Sequence, residues 1–151
     1  MITITFRDLI TEWQAAYEAF FAAARALPAD KRETPGICGA WNARQVVAHL
    51  AGWHYEAVRR YAEIAVGDPL NRQYDEDGFN ALQVEARAHL TWEQTLDDLR
   101  EVADILRAQA RELTEHQAVA EPRYAEWLRG LAGDLRHHTE QVQAWLPPGA
   151  Q

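Results

Sequence analysis

Residues 42–66 read NARQVVAHLAGWHYEAVRRYAEIAV, and the pattern of this stretch decides the fold class. Apolar side chains recur at Val46, Val47, Leu50, Trp53, Ala57, Val58, Tyr61 and Ile64, the three- and four-residue steps of one helix face. Asn42 is a good N-cap, and Gln45 stands three residues on to complete a capping box. Gly67, followed by Asp68 and Pro69, supplies the stop. The spacing predicts a long amphipathic helix with one buried stripe, which requires other helices to bury it.

The flanking sequence supplies them. Upstream, Ile10, Trp13, Tyr17, Phe20, Phe21, Ala24 and Leu27 keep the same period from Phe6 until Pro28 breaks it. The loop PADKRETPGICGAW (28–41) carries the prolines and glycines of a connection. Downstream, the polar segment 67–80 leads to a short helix expected from about Phe79 to His89. Thr91 then opens TWEQ, a capping-box signature, for a helix through about Leu113 with Trp92, Leu96, Leu99, Ala103, Leu106 and Ala110 in its apolar row. A last helix starts near Pro122, a residue suited to a first turn, and ends before Pro147. No strand pattern occurs. The expectation is an all-α chain, an antiparallel four-helix bundle with one additional short helix, forming a single domain over 1–151. The connection carrying the short helix lets the order depart from simple up-and-down.

Composition narrows the function. No apolar run approaches the ~20 residues of a membrane span, and the N-terminus turns polar too early for a signal peptide, so a cytoplasmic protein is expected. The one cysteine, Cys38, excludes an internal disulfide and a Cys-rich zinc module. It reads as an inert thiol, since no base is evident beside it. With 15 basic and 23 acidic residues the formal charge is -8, which argues against a nucleic-acid partner and against an anionic lipid surface. The segment YDEDGFN (74–80) lacks the ligand spacing of a calcium loop and reads as a solvated loop that edges the pocket. Trp13, Phe20, Phe21 and Leu106 present wide apolar faces, from which a homodimer is expected.

The last helix carries adjacent histidines in GDLRHHTEQVQAWLPP (133–148). Stepping about 100° per residue from Leu131 puts His138 in the stripe of Tyr124, Trp127, Leu135, Val142 and Trp145. Asp134 lies on its flank, one turn earlier, and His137 swings out to solvent. An inward Asp–His pair at i,i+4 is either a satisfied polar pair of the core or two ligands of a metal site awaiting a third from another helix. On the second helix His49 flanks the apolar row and faces a groove, whereas His54 falls inside the row and reads as a hydrogen-bonded core histidine. His49, Asp134 and His138 would make a two-histidine, one-carboxylate set with coordination positions left open. Trp41, Trp53 and Trp127 are placed to line an apolar cavity.

At these residues the sequence resembles the DinB/YfiT-like superfamily of metalloenzymes. The resemblance rests on GAWNARQVVAHLAGWH (39–54), similar to that family's stretch around its first ligand, and on DLRHHTEQVQAWL (134–146), similar to its segment with two ligands four residues apart. DGFNALQVEARAHLTWEQTLDDLREV (77–102) resembles the related ClbS/DfsB-like branch. The resemblance puts metal ligands at His49, Asp134 and His138. Position 134, commonly histidine, is an aspartate here; the mycothiol-dependent maleylpyruvate isomerases of the superfamily carry a glutamate there. Aspartate is a methylene shorter and binds directly, through water, or from outside the ligand shell. What the resemblance implies is a divalent metal (zinc, nickel or iron) and a low-molecular-weight thiol. The protein would be a metal-dependent transferase, isomerase or hydrolase acting on a small molecule. Two alternatives stand beside it: a metal-independent ClbS/DfsB-like hydrolase or protector against a reactive metabolite, with His49 as a base, and a non-catalytic binding bundle.

Overall fold

The computed structural model of the chain describes residues 3–149. Its helices are α1 (Phe6–Ala26), α2 (Ala43–Ala65), α3 (Glu76–Ala86), α4 (Trp92–Glu112), α5 (Glu115–Ala120) and α6 (Arg123–Gln143), with a 3-10 turn at Ala29–Lys31. Among the described residues β pairing is confined to an isolated bridge between Cys38 and Trp41. The all-α expectation is met.

Local chemistry sets the helix starts. Reciprocal capping boxes join Thr5 to Asp8, Asn42 to Gln45, Thr91 to Gln94 and Thr114 to Gln117. The last of these opens α5, which the apolar period does not reveal because the helix is under two turns long and buries only Ala118. Helix α3 begins earlier than its apolar residues suggest. The Asp75 carboxylate accepts the Gly78 N–H, and Glu76 and Asp77 then occupy the first turn, where negative charge suits the helix dipole. The acidic segment is thus a helix start rather than a loop.

The four long helices form a ring in which α1 packs on α6 and α4, and α2 packs on α4 and α6. Their directions follow from the contacts at each end. The Arg32 carbonyl accepts the Arg44 N–H while its guanidinium lies 5.5 Å from the Trp92 ring centre, so α2 and α4 start together. The Gln109 amide donates to the Val58 carbonyl (3.2 Å) further along, so these two helices run parallel. The Tyr61 hydroxyl donates to the Tyr124 carbonyl (2.6 Å), joining the end of α2 to the start of α6 in an antiparallel pair. Helix α1 pairs antiparallel with α4: its first N–H, at Phe6, reaches the Glu115 carboxylate beyond the α4 terminus. The departure from up-and-down order arises where expected, because the segment holding α3 carries the chain back before α4 begins.

Helix α3 crosses α2 at Gly52. A Cβ there would lie 2.3 Å from the Gln83 Cγ, so only glycine permits this approach. Trp13, Phe20 and Leu106 are fully enclosed by the core of the bundle, and Phe21 packs against it half-buried. The faces from which a homodimer was expected are therefore consumed inside one chain: the four helices close a ring around them. His54 is also wholly buried, with its Nδ1–H donating to the Leu50 carbonyl (2.7 Å) and its Nε2 accepting the Trp13 indole N–H (3.1 Å). That is the satisfied core histidine the sequence suggests.

Candidate metal centre

Helices α2 and α6 bring His49 and His138 face to face because each histidine sits on the inward edge of its helix and the helices are neighbours. The two Nε2 atoms are 3.2 Å apart. Asp134, one turn before His138, reaches both: its Oδ2 is 3.0 Å from His49 Nε2 and its Oδ1 3.2 Å from His138 Nε2. One ligand atom from each residue falls within 4.8 Å of the others, and no further group of this kind occurs among the described residues. The two imidazoles are buried, while the Asp134 side chain is 31% exposed and reaches the site from its rim. The expected trio therefore converges. His137 is exposed, as the periodicity requires, and stands at the cleft's edge 3.3 Å from the Gln141 amide nitrogen.

The second nitrogen of each imidazole is also held. His49 Nδ1 lies 2.8 Å from the Asn80 Oδ1, an atom that also accepts the Trp53 indole N–H at 2.7 Å. His138 Nδ1 lies 2.6 Å from the Gln141 Oε1. In this arrangement each Nδ1 carries its hydrogen and each Nε2 turns a lone pair inward, toward a carboxylate that offers only acceptors. Facing lone pairs repel one another, and positive charge placed between them relieves the repulsion. A second proton on an imidazole satisfies one contact; a cation satisfies all three. Burial acts against an ionised Asp134; once the imidazoles carry a proton on Nε2 as well, their donated hydrogen bonds and positive charge outweigh it and hold the carboxyl well below its ordinary range.

The donor set suits a divalent transition metal. Two imidazole nitrogens and one carboxylate are ligands that zinc, nickel and iron accept, and three protein ligands leave sites open. Amide oxygens behind both imidazoles are the usual outer support of such a centre. Asn80 and Gln141 were not legible as site residues. Asn80 lies 31 positions from His49 on a short helix, and no spacing rule links the two.

The trio opens into a cleft of about 1410 Å³ between α2, α6, α3 and the connection before α3. Trp41, Trp53 and Trp127 all line it, as expected, and Cys38 sits on its wall. Trp41 lies 5.2 Å from the His49 ring, and Trp53 packs against Phe79 in a tilted pair, 4.1 Å between ring centres. The far end is edged by Pro69, Asn71, Arg72 and Tyr74, so the 67–80 segment does border the pocket. Arg60 and Arg123 pin this border by donating to the Leu70 carbonyl, each at 2.7 Å. From His49 to Arg60 the cleft follows α2 for roughly 16 Å at helical rise.

A family model described as the mycothiol maleylpyruvate isomerase N-terminal domain matches residues 13–143. No curated protein sequence matches the chain. Three solved structures share its fold at low identity. An uncharacterised protein from Escherichia coli UTI89 is 14% identical with a TM-score of 0.80, covering 95% of this chain and 94% of that one. The colibactin self-resistance protein ClbS, in complex with a dsDNA, is 14% identical with a TM-score of 0.79, covering 96% and 97%. The sibling lethal factor precursor DfsB is 12% identical with a TM-score of 0.81, covering 95% and 96%. The ClbS complex overturns the expectation, drawn from net charge, of no nucleic-acid partner. Net charge sums the whole surface, whereas a duplex meets one face of a fold.

Proposed function

The chain belongs to the mycothiol maleylpyruvate isomerase N-terminal domain family, and from that premise we propose a metal-dependent enzyme that acts on a small molecule at His49, Asp134 and His138. The observation that carries the proposal is the inward meeting of two imidazole Nε2 atoms and a carboxylate, with both Nδ1 positions already committed to amide oxygens. A divalent cation (zinc, nickel or iron) held there supplies Lewis acidity that makes a thiol or water nucleophilic at neutral pH.

The residues of the chain do the remaining work. Asn80 and Gln141 keep the imidazoles in one orientation, and Asp134 contributes negative charge from the rim. Trp41, Trp53 and Trp127 give the cleft apolar walls that exclude water from a bound ligand. A cleft of about 1410 Å³ exceeds what one drug-sized ligand fills, which suits a low-molecular-weight thiol together with a second substrate. The reading is a thiol-dependent transferase or isomerase, or a hydrolase.

Elemental analysis of protein purified without a His-tag or chelator tests the metal. Near-stoichiometric zinc, nickel or iron is expected, with loss of most of it in His49→Ala and in His138→Ala. Failure to take up any of these three metals, or uptake indifferent to both substitutions, would overturn the reading.

A second reading has one observation in its favour, the 3.0 Å approach of His49 to Asp134. In a metal-independent hydrolase or protector like the ClbS/DfsB branch, this pair would handle protons. Because Asn80 already takes the Nδ1–H, His49 meets Asp134 without metal only by carrying a proton on Nε2 as well, so it serves as an acid before it serves as a base. Turnover that survives exhaustive chelation would favour this reading. Duplex DNA belongs among the ligands screened, since a protein of the same fold has been solved with it.

A further inference from the structure

We propose that Asn80 is a positioning residue that sets which nitrogen of His49 faces the metal site; the inference rests on the metal reading of that site, but its own test does not. An amide side chain has an oxygen end and a nitrogen end, and the two are told apart by their partners. Here the partner is decisive. The Trp53 indole N–H can only donate, so the atom it meets at 2.7 Å is the amide oxygen. The same oxygen lies 2.8 Å from His49 Nδ1, which must therefore donate as well. The reversed amide would set its own N–H groups against the indole N–H. Trp53 thus fixes the amide, the amide fixes the tautomer, and the lone pair of Nε2 is left pointing at Asp134 and His138.

The chain of control runs between two helices. Trp53 and His49 are one turn apart on α2 and share a face, and Asn80 comes from α3. Helix α3 buries no residue of its own and is held by polar and aromatic contacts: Phe79 on Trp53, Gln83 over Gly52, and Arg87 with Asp98. Docking of α3 consequently delivers the oxygen that orients the imidazole. A leucine at position 80 would fill the space but offer no acceptor, leaving two N–H groups unmatched and the tautomer free to reverse. An aspartate would keep the acceptor and the tautomer.

The test uses ¹⁵N-labelled, metal-free protein and its Asn80→Leu and Asn80→Asp variants. The imidazole nitrogen shifts of His49 are read well above the ordinary histidine titration range, and Zn²⁺ affinity is read by chelator competition. Wild type and Asn80→Asp are expected to show His49 protonated at Nδ1. In Asn80→Leu the signal moves toward the Nε2-protonated form, with zinc binding weakened about 10–100-fold and the melting profile still cooperative. An Asn80→Leu protein that keeps the Nδ1-protonated form, with affinity within about twofold of wild type, overturns the proposal. If Asn80→Leu does not fold, Trp53→Phe decides: without the indole donor the amide is free to turn, and a mixed tautomer is expected, whereas an unchanged Nδ1-protonated signal overturns it. Absence of zinc binding in wild type would count against the metal reading alone, because the tautomer is measured without metal.

Discussion

Two histidines of α2, His49 and His54, differ in what meets Nε2. At His54 it is a donor, the Trp13 indole, so the neutral ring has a partner on each side. Burial, partly opposed by the Leu50 hydrogen bond and the charge of Asp134, lowers its pKa from 6.5 to about 4. The sign follows: the unfolded chain takes up this proton first, so the stabilisation is complete above pH 6.5 and is lost as pH falls toward 4. Chemical denaturation across that window should show a loss of about 3 kcal/mol attributable to His54, and His54→Gln should flatten the slope. An identical slope in the variant would remove His54 as the cause. At His49 the neighbours of Nε2 are acceptors, and the residue is available for chemistry. His137, exposed beside them, should be replaceable: His137→Ala is expected to retain its metal and to change stability by no more than about 0.5 kcal/mol. Metal loss in that variant would show that the adjacent histidine had been misjudged.

At the scale of elements, α3 is the one whose placement matters most for the site and depends least on the core. It contributes Asn80 to His49 and Phe79 as a support behind Trp53, yet none of its residues is buried. Gly52 is what lets it approach, since a methyl group there would meet both Cγ and Cβ of Gln83, at 2.3 and 2.6 Å. Gly52→Ala should therefore push α3 outward, costing about 1–3 kcal/mol as overpacking does, while the four long helices keep their packing. Adding Gln83→Gly should return α3 to its place, with part of the gain offset by about 1 kcal/mol for a glycine inside the helix. A Gly52→Ala protein as stable as wild type would mean that α3 yields without cost. The capping signatures at Asn42 and Thr91 are legible in the amino-acid sequence alone, because a cap is a contact between residues three apart. Helix α5 escapes the apolar reading. A single buried residue makes no period, and the TEHQ box at Thr114 is the one local signal it carries.

At the scale of the molecule, Arg60 ties the far end of the cleft together. Its guanidinium is almost wholly buried, paired with Asp68 at 2.9 Å and Glu63 at 3.0 Å, and donates to the Leu70 carbonyl. Arg123 of α6 reaches the same carbonyl and that of Asp68, so the connection after α2 is clamped from two helices. Removing a buried charge leaves its partners uncompensated, at a cost of roughly 3–5 kcal/mol when the pair is fully enclosed. Glu63 and Asp68 are partly solvated, so Arg60→Ala should fall at or below the lower end of that range. Amide exchange should rise across residues 68–72 and stay unchanged around His138. Uniform protection across that segment in the variant would show that Arg123 suffices as the clamp.

The sequence by itself determined the long helices, the caps at Asn42 and Thr91 and the inward direction of His138 and His49, because each is a property of neighbouring residues and a fixed turn of about 100°. It carried the family resemblance for the same reason, through ligand spacing within single helices. Only the tertiary structure decided that α2 and α4 run parallel and that the faces of Trp13, Phe20 and Leu106 close inside one core. Only it could bring an amide from α3 to the back of His49. These depend on which helix surfaces meet and in which register. A residue's own period says where it points, and not what stands opposite.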